Sequence, residues 1–287
     1  MSKSALKNGR RAKLWDSVWT HALIALLALI WLFPIFWMIL RSFSDVPGVA
    51  TSSFWPERLT LSNYTGLFEK TNRVMFVNWV SNTLWIAAAN AVMSTVIALG
   101  AAYALSVFRF KMRKPFMNIA LVLGMFPGFM AMTAIFLILN LLKLIDQPVS
   151  LLVVYASGAG INFFVAKGYF DTLPVSLEEA ALVDGATQFT IFVKIILPLS
   201  KTIIIYTAML AFMMPWTDFI LAGLILVSPE RQTVAVGLYG MTDEFSISRY
   251  FAMFTAGCVL VAVPIVMLYI SLQRFMIMGI SAGAVKG

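Results

Sequence analysis

Cysteine and histidine each occur once in this chain, at Cys258 and His21. One thiol excludes a disulfide framework and a cysteine-based metal site, and within an apolar run it reads as inert packing. One imidazole, at the start of an apolar run, reads as an interfacial side chain at a helix end. It leaves no His cluster for a metal. The chain has no Gly-x-x-x-x-Gly-Lys-Ser/Thr phosphate loop, so it cannot supply ATP hydrolysis by that route. Charge is scarce too. Asp, Glu, Lys and Arg supply 12% of 287 residues, about half the share usual in a soluble domain. So few charges cannot cover a protein of this size in water.

Apolar sequence fills the chain instead, at 61% of residues. A bilayer helix needs about 20 mostly apolar residues. Six runs meet or approach that length: Ala22–Leu40, Val74–Phe108 (its helix starting near Trp79), Pro115–Leu142, Gln147–Ala166, Thr202–Pro229 and Tyr250–Gln273. Any one of them fits a buried core helix, but six do not. The expectation is an all-α integral membrane protein with six transmembrane helices. The first run has a basic start like a signal peptide. Its apolar part is long and ends in Phe36-Trp37-Met38-Ile39-Leu40-Arg41 without a small-residue cleavage site, so it reads as a retained helix.

Lys and Arg favour the cytoplasmic side in short loops. With the N-terminus inside, 14 of the 21 basic residues fall in inner segments and 7 in outer ones. The cluster Arg109, Lys111, Arg113 and Lys114 weighs most, because its loop is very short. Both termini are therefore expected in the cytoplasm. The organisation is then an inner segment 1–19, a first helix 20–41, an outer loop 42–73, a five-helix unit 74–274 and an inner tail 275–287. The formal charge of +8 is topological; a soluble basic face with stacking aromatics, as nucleic-acid binding requires, is not visible. No internal repeat or low-complexity tract is visible.

The inner loop around 174–198 carries its own pattern. Ser176 and Glu179 have capping-box spacing, Glu178 and Glu179 suit a helix N-terminus, and Gly185 suits a helix end. A short helix over 177–184 is expected, with Leu177, Ala180, Ala181 and Asp184 on one small face. A second helix over 188–197 would carry an apolar stripe of Phe189, Phe192, Val193 and Ile196, broken at Leu197-Pro198. Geometry alone fits an amphipathic interfacial connector equally well.

The residue types are more specific. Glu179-Ala180-Ala181-Leu182-Val183-Asp184-Gly185-Ala186, then Phe192, Ile195 and Leu197-Pro198, resembles the EAA loop of bacterial ABC importer permeases. Arg231 to Leu238 and the closing Ser281 to Gly287 are similar to MalG-type carbohydrate permeases. The resemblance covers roughly residues 74–287. It implies the type I ABC importer permease fold, with Glu179, Ala180, Ala181, Asp184 and Gly185 forming the contact with an ATPase subunit. It implies a C-terminal contact with the ATPase through Val285, Lys286 and Gly287. The implied partners are a second homologous permease, two copies of a cytoplasmic ATPase carrying ATP-Mg, and an extracytoplasmic sugar-binding protein. No cofactor, metal or catalytic residue is expected on this chain. The implied place is a bacterial inner or plasma membrane, and the implied cargo an oligosaccharide of the maltodextrin kind.

Asp218 is the acidic residue expected well inside a span, where a charge faces a cavity or a partner. Pro215 beside it removes a helix hydrogen bond, and Trp216 offers a ring for stacking on a sugar. Thr217 stands where the family often has Asn. A structural Asp bonded to a neighbouring helix fits the same residues. Pro127-Gly128 marks a second kink and a possible gate. Asn90, Asn140 and Asn162 read as links between helices. An ABC importer for another solute shares the EAA loop. An ion-coupled carrier would show intramembrane charges or an internal repeat. A membrane enzyme would show clustered His, Asp or Cys.

Overall fold

The computed structural model describes residues 3–49, 53–69, 71, 73–159 and 163–284, with side chains from residue 17 to 275 within those stretches. Asn162 and the tail Val285 to Gly287 lie outside the described residues. Among the described residues the chain is helical, apart from one isolated antiparallel bridge between Ser44 and Leu59.

Among the described residues, three helices are long and apolar enough to cross a membrane unbroken: α1 (Lys3–Ser42), α3 (Phe76–Val107) and α14 (Ile247–Ala284). Three bent pairs supply the other candidate spans. Helix α4 (Arg113–Gly124) meets α5 (Gly128–Leu141) at 100°, and α6 (Pro148–Ala159) meets α7 (Phe163–Phe170) at 41°. The segment Gln188–Leu199 meets α11 (Lys201–Thr217) at 85°. It runs as α9 (Gln188–Ile191), a π-helical turn (Phe192–Ile196) and α10 (Leu197–Leu199). The short helices α2 (Ser62–Phe68), α8 (Val175–Val183), α12 (Ile220–Ile225) and α13 (Val234–Tyr239) lie in the connections.

Several expected boundaries move. Helix α1 starts at Lys3 rather than near residue 20, so His21 lies inside a helix; its Nδ1 is 2.6 Å from the Ser17 carbonyl oxygen. The fifth run does not stay helical to Pro229. Asp218 takes an extended backbone, and its carboxylate accepts the Leu221 amide at 3.0 Å. That bond ends α11 and starts α12. The break at Pro127 is sharper than a kink: Pro127 is extended and heads α5.

Helix α3 is the hub. It packs most against α11, then α6, α7 and α13. Three buried clusters follow its length. Leu99 and Tyr103 gather with Phe163, Phe170, Ile191 and Ile203 near one end. Ile86 meets Leu151, Tyr155 and Ile225 in the middle. Trp79 meets Leu67, Val234, Leu238 and Ala256 near the other end. Helix α1 differs: its most apolar stretch buries nothing inside the chain, and only Arg41 and Ser42 at its end are buried. It leans on α14, with Trp37 5.9 Å from Phe251.

The connections sort to two ends. The described residues of 42–75, with 142–147 and 226–246, gather at the α13 end; residues 108–112 and 171–200 gather at the α8 end. At the α13 end, Trp79, Asn82 and Thr83 share one face of α3 and bind the segment 229–234. Trp79 Nε1 donates to the Pro229 carbonyl at 2.7 Å. Asn82 Nδ2 donates to the Glu230 and Gln232 carbonyls. Thr83 Oγ1 accepts the Val234 amide at 2.8 Å, one of the free amides at the start of α13. Gly237 lies flat on the Trp79 indole; a Cβ there would sit 2.1 Å from a ring carbon. Asp146 completes this end. It accepts from the Val227 and Ser228 amides and the Ser228 hydroxyl, and pairs with Arg231 at 3.5 Å. Burial opposes its ionisation, but the Ser228 and Val227 hydrogen bonds and Arg231 outweigh that and hold its carboxyl below the usual range.

Candidate functional site: an exposed helix and a membrane cavity

Helix α8 stands at its end of the bundle. Its start corrects the capping-box expectation. Pro174 takes the N-cap position, and no side chain caps it; Ser176 is already inside the first turn. The reason is proline's fixed φ and the extended backbone it adopts here, which start the helix at Val175. Its C-terminus matches expectation. Gly185 has φ +79°, its amide donates to the Leu182 carbonyl, and the Ala186 amide donates to the Ala181 carbonyl. These paired bonds form a Schellman motif, which needs a left-handed residue at Gly185.

The expected docking residues separate into two roles. Glu179, Ala180, Asp184 and Gly185 are exposed. Ala181 is buried against its own chain, in the cluster with Tyr103 and Ile191. Its small side chain seats α8 on the bundle and is not part of the free surface. Two residues the sequence reading passed over are on that surface: Leu182, and Val183 at 87% exposed. Their signal was an apolar pair on a helix of two and a half turns that buries only Ala181.

The second helix also departs from expectation. The stripe Phe189, Phe192, Val193 and Ile196 assumes a steady 3.6-residue period. The π-helical turn at Phe192–Ile196 adds a residue to that turn and shifts the register. Ile191 and Ile196 point into the bundle, while Phe189 is 76% exposed and Val193 also faces out. Phe189 therefore joins Leu182 and Val183 among the uncovered apolar residues of the 182–193 stretch. The helix also runs past Pro198 to Leu199 before it bends.

A cavity of about 550 Å³ opens between α3, α4, α6, α7 and α11. Its polar wall comes from Asn90 and Ser94 on α3, Tyr155 on α6, and Tyr206 and Thr207 on α11; Gly124 and Met125 border it beside the α4–α5 break. The expected path residues stand behind this wall. The Asp218 carboxylate receives the Tyr155 hydroxyl at 2.6 Å and so holds a cavity residue in place. Trp216 packs with Phe212 and against the cluster of Trp79 and Leu238, and does not line the cavity. Pro127 lies in the α4–α5 break, next to the cavity border and not on it.

Pro215 is buried and acts through Asn90. A proline has no amide, so the carbonyl four residues back, Ala211, loses its helix partner. Asn90 Nδ2 donates to the Ala211 carbonyl at 2.7 Å, and the Ser94 hydroxyl donates to Asn90 Oδ1 at 2.6 Å. In lipid a backbone group freed by proline needs such a partner. The helix link expected of Asn90 is present, and its target is the gap left by Pro215.

Comparisons with known proteins agree with this architecture. The family described as "Binding-protein-dependent transport system inner membrane component" matches residues 94–277. The galactooligosaccharides transport system permease protein GanQ of Bacillus subtilis (strain 168) is 34% identical over 271 residues, covering 94% of this chain and 95% of that one. The maltodextrin transport system permease protein MdxG of the same organism is 34% identical over 281 residues, covering 98% and 100%. A crystal structure of a bacterial ABC transporter involved in the import of the acidic polysaccharide alginate has a chain that superposes with a TM-score of 0.78. It is 25% identical and covers 92% of this chain and 97% of that one.

Proposed function

The chain belongs to the family of binding-protein-dependent transport system inner membrane components, and from that premise we propose that it forms one half of the translocation pathway of an ABC importer for an oligosaccharide. A second, similar permease supplies the other half. Two ATPase subunits bind the α8 end, which faces the cytoplasm, as do both termini. A sugar-loaded binding protein meets the α13 end. ATP-Mg stays on the ATPase subunits, and this chain performs no covalent chemistry.

One observation carries the reading: α8 projects an exposed, uncovered face at the end of a membrane bundle. Glu179, Ala180, Leu182, Val183 and Asp184 form that face, and the Gly185 turn fixes its end. Leu182, Val183 and Phe189 supply apolar area, and Glu179 and Asp184 suit a basic partner. The cargo assignment to an oligosaccharide of the maltodextrin kind is supported by the relatives' names and by a cavity wall of hydroxyls and tyrosine rings. The tail Val285, Lys286 and Gly287 is assigned to a second ATPase contact.

The test uses the assembled importer with Glu179→Lys and Gly185→Pro. The first reverses one charge on the exposed face. The second forbids the left-handed turn. Both variants are expected to insert in the membrane yet lose ATPase subunits on affinity purification, and maltotriose uptake into vesicles. Normal ATPase retention with normal uptake in both would sink the reading.

A further inference from the structure

We propose that Gln188 is a positioning residue that ties the coupling helix α8 to the hub helix α3, so that motion of α8 is passed to the cavity wall. The inference rests on the role of α8 given under Proposed function and adds the connection that role needs.

The geometry is a chain of two hydrogen bonds. The Tyr103 hydroxyl on α3 donates to Gln188 Oε1 at 2.7 Å, with the Gln188 backbone carbonyl a longer second contact at 3.4 Å that Gln188→Leu leaves in place. Gln188 Nε2 donates to Glu178 Oε1 on α8 at 3.0 Å. The amide orientation is fixed by chemistry. A carboxylate only accepts, so the NH₂ must face Glu178, and the carbonyl then faces the tyrosine proton. Glu178 is in the first turn of α8, where its charge also meets the helix dipole.

Each anchor is held by its surroundings. Tyr103 is buried, with its ring 4.7 Å from Phe192 and further edge contacts to Phe108 and Phe170. Gln188 opens α9, whose start is fixed by Thr187 Oγ1 accepting the Thr190 amide. Below Tyr103, Ser106 donates to Asp171 at 2.5 Å, and Lys167 pairs with the same carboxylate. That second group ties α3 to α7 and bypasses α8. The Gln188 amide is therefore the polar link in this region that joins α8 to α3. From Tyr103, α3 runs up to Ala98, Ser94 and Asn90 on the cavity wall. Asn90 lies about 20 Å away along the same rigid helix.

The experiment places Tyr103→Phe, Gln188→Leu and the double variant in the complete importer in proteoliposomes. ATP hydrolysis and maltotriose uptake are read on the same vesicles, and hydrogen exchange is followed across residues 176–184. The expected result is retained ATPase subunits, faster exchange across α8, and about a fivefold fall in sugar moved per ATP hydrolysed, the loss of one net hydrogen bond. The double variant should be no worse than Gln188→Leu, since one chain of bonds is cut once.

A charge-conserving rescue separates positioning from general structural damage. Gln188→Glu alone sets two carboxylates against each other and should uncouple. Gln188→Glu combined with Glu178→Gln exchanges amide and carboxylate, rebuilds both bonds, and should restore the ratio. Unchanged coupling in the single variants, or no rescue in the exchanged pair, overturns the proposal. If the unmutated importer takes up no maltotriose, the cargo assignment fails instead. Exchange across α8 then decides the link, and rates unchanged by Tyr103→Phe and Gln188→Leu would overturn it.

Discussion

At the α13 end, α3 grips its neighbour through backbone groups; at the α8 end its shortest bond is to the tip of a flexible side chain. Trp79, Asn82 and Thr83 bind carbonyls and an amide of residues 229–234, positions that cannot rotate away. Tyr103 instead reaches Gln188, and Gln188 reaches Glu178. The first arrangement is rigid and the second is a tether. A helix held rigidly at one end and tethered at the other can pass a displacement along its length while keeping its hold at the rigid end. The ends differ in covering as well. Gly237 is sealed under an indole ring, whereas Val183 and Phe189 are open.

The comparison breaks most sharply at Gly237. A Cβ at that position would overlap the Trp79 ring at 2.1 Å, far inside any allowed contact. Gly237→Ala therefore has to displace Trp79, its bond to Pro229 and the start of α13 together. The expected cost is about 3 kcal/mol, at the upper end of overpacking effects. It should appear as a large drop in the melting temperature of the purified protein. Gly185→Ala at the α8 end meets open space and only backbone strain, at about 1 kcal/mol. Equal costs at the two glycines would erase the distinction between a sealed and an open end.

Acid sharpens the same comparison from the α13 side. The folded-state pKa of Asp146 is lowered, so its contribution is complete above the unfolded value of about 4 and is lost as pH falls through the lower folded value. The Val227 and Ser228 amides should then lose protection against exchange in acid. Asp146→Asn should reproduce the acid state at neutral pH, at about 1 kcal/mol. Protection factors at Val227 and Ser228 that stay unchanged as pH falls below about 4 would remove Asp146 from the clasp.

Much of this was legible in the residues. Five of the six apolar runs locate the three unbroken helices and two of the bent pairs, because hydrophobic length sets them; the fifth run covers α11 but not the Gln188–Leu199 half of its pair. Gly185 announces the end of α8, because a left-handed turn has one cheap residue. The EAA stretch locates the exposed helix, and the family match confirms the resemblance it carries. Other features depend on partners far away in sequence. Pro215 says that a carbonyl is free, but not that Asn90, on another helix, fills it. Asp218 reads as a charge in a span, and its use as a break between α11 and α12 needs the Tyr155 hydroxyl and the Leu221 amide. The π-helical turn at Phe192–Ile196 is invisible to a fixed period, which sets Phe189 and Val193 on one face with the buried Ile196. The cavity wall was missed for the same reason: Asn90, Tyr155 and Tyr206 meet only through packing.

The smallest effect tests how the α8 end begins its helices. Ser176 has the spacing of a capping residue and is not one; Thr187 has a less obvious context and is. With Pro174 at the N-cap, the Ser176 hydroxyl has no first-turn amide to accept. Thr187 Oγ1 accepts the Thr190 amide at 3.2 Å. Thr187→Ala should therefore cost about 1 kcal/mol and speed exchange across 188–192, next to the Gln188 tether. Ser176→Ala should stay within about 0.5 kcal/mol, as for an ordinary surface change. The two substitutions remove the same group from neighbouring helix starts, so their difference isolates the cap from side-chain polarity. A cost at Ser176 equal to that at Thr187 would mean that α8 begins two residues later in solution, with Ser176 as its cap. The tether from Glu178 would then start from a different turn.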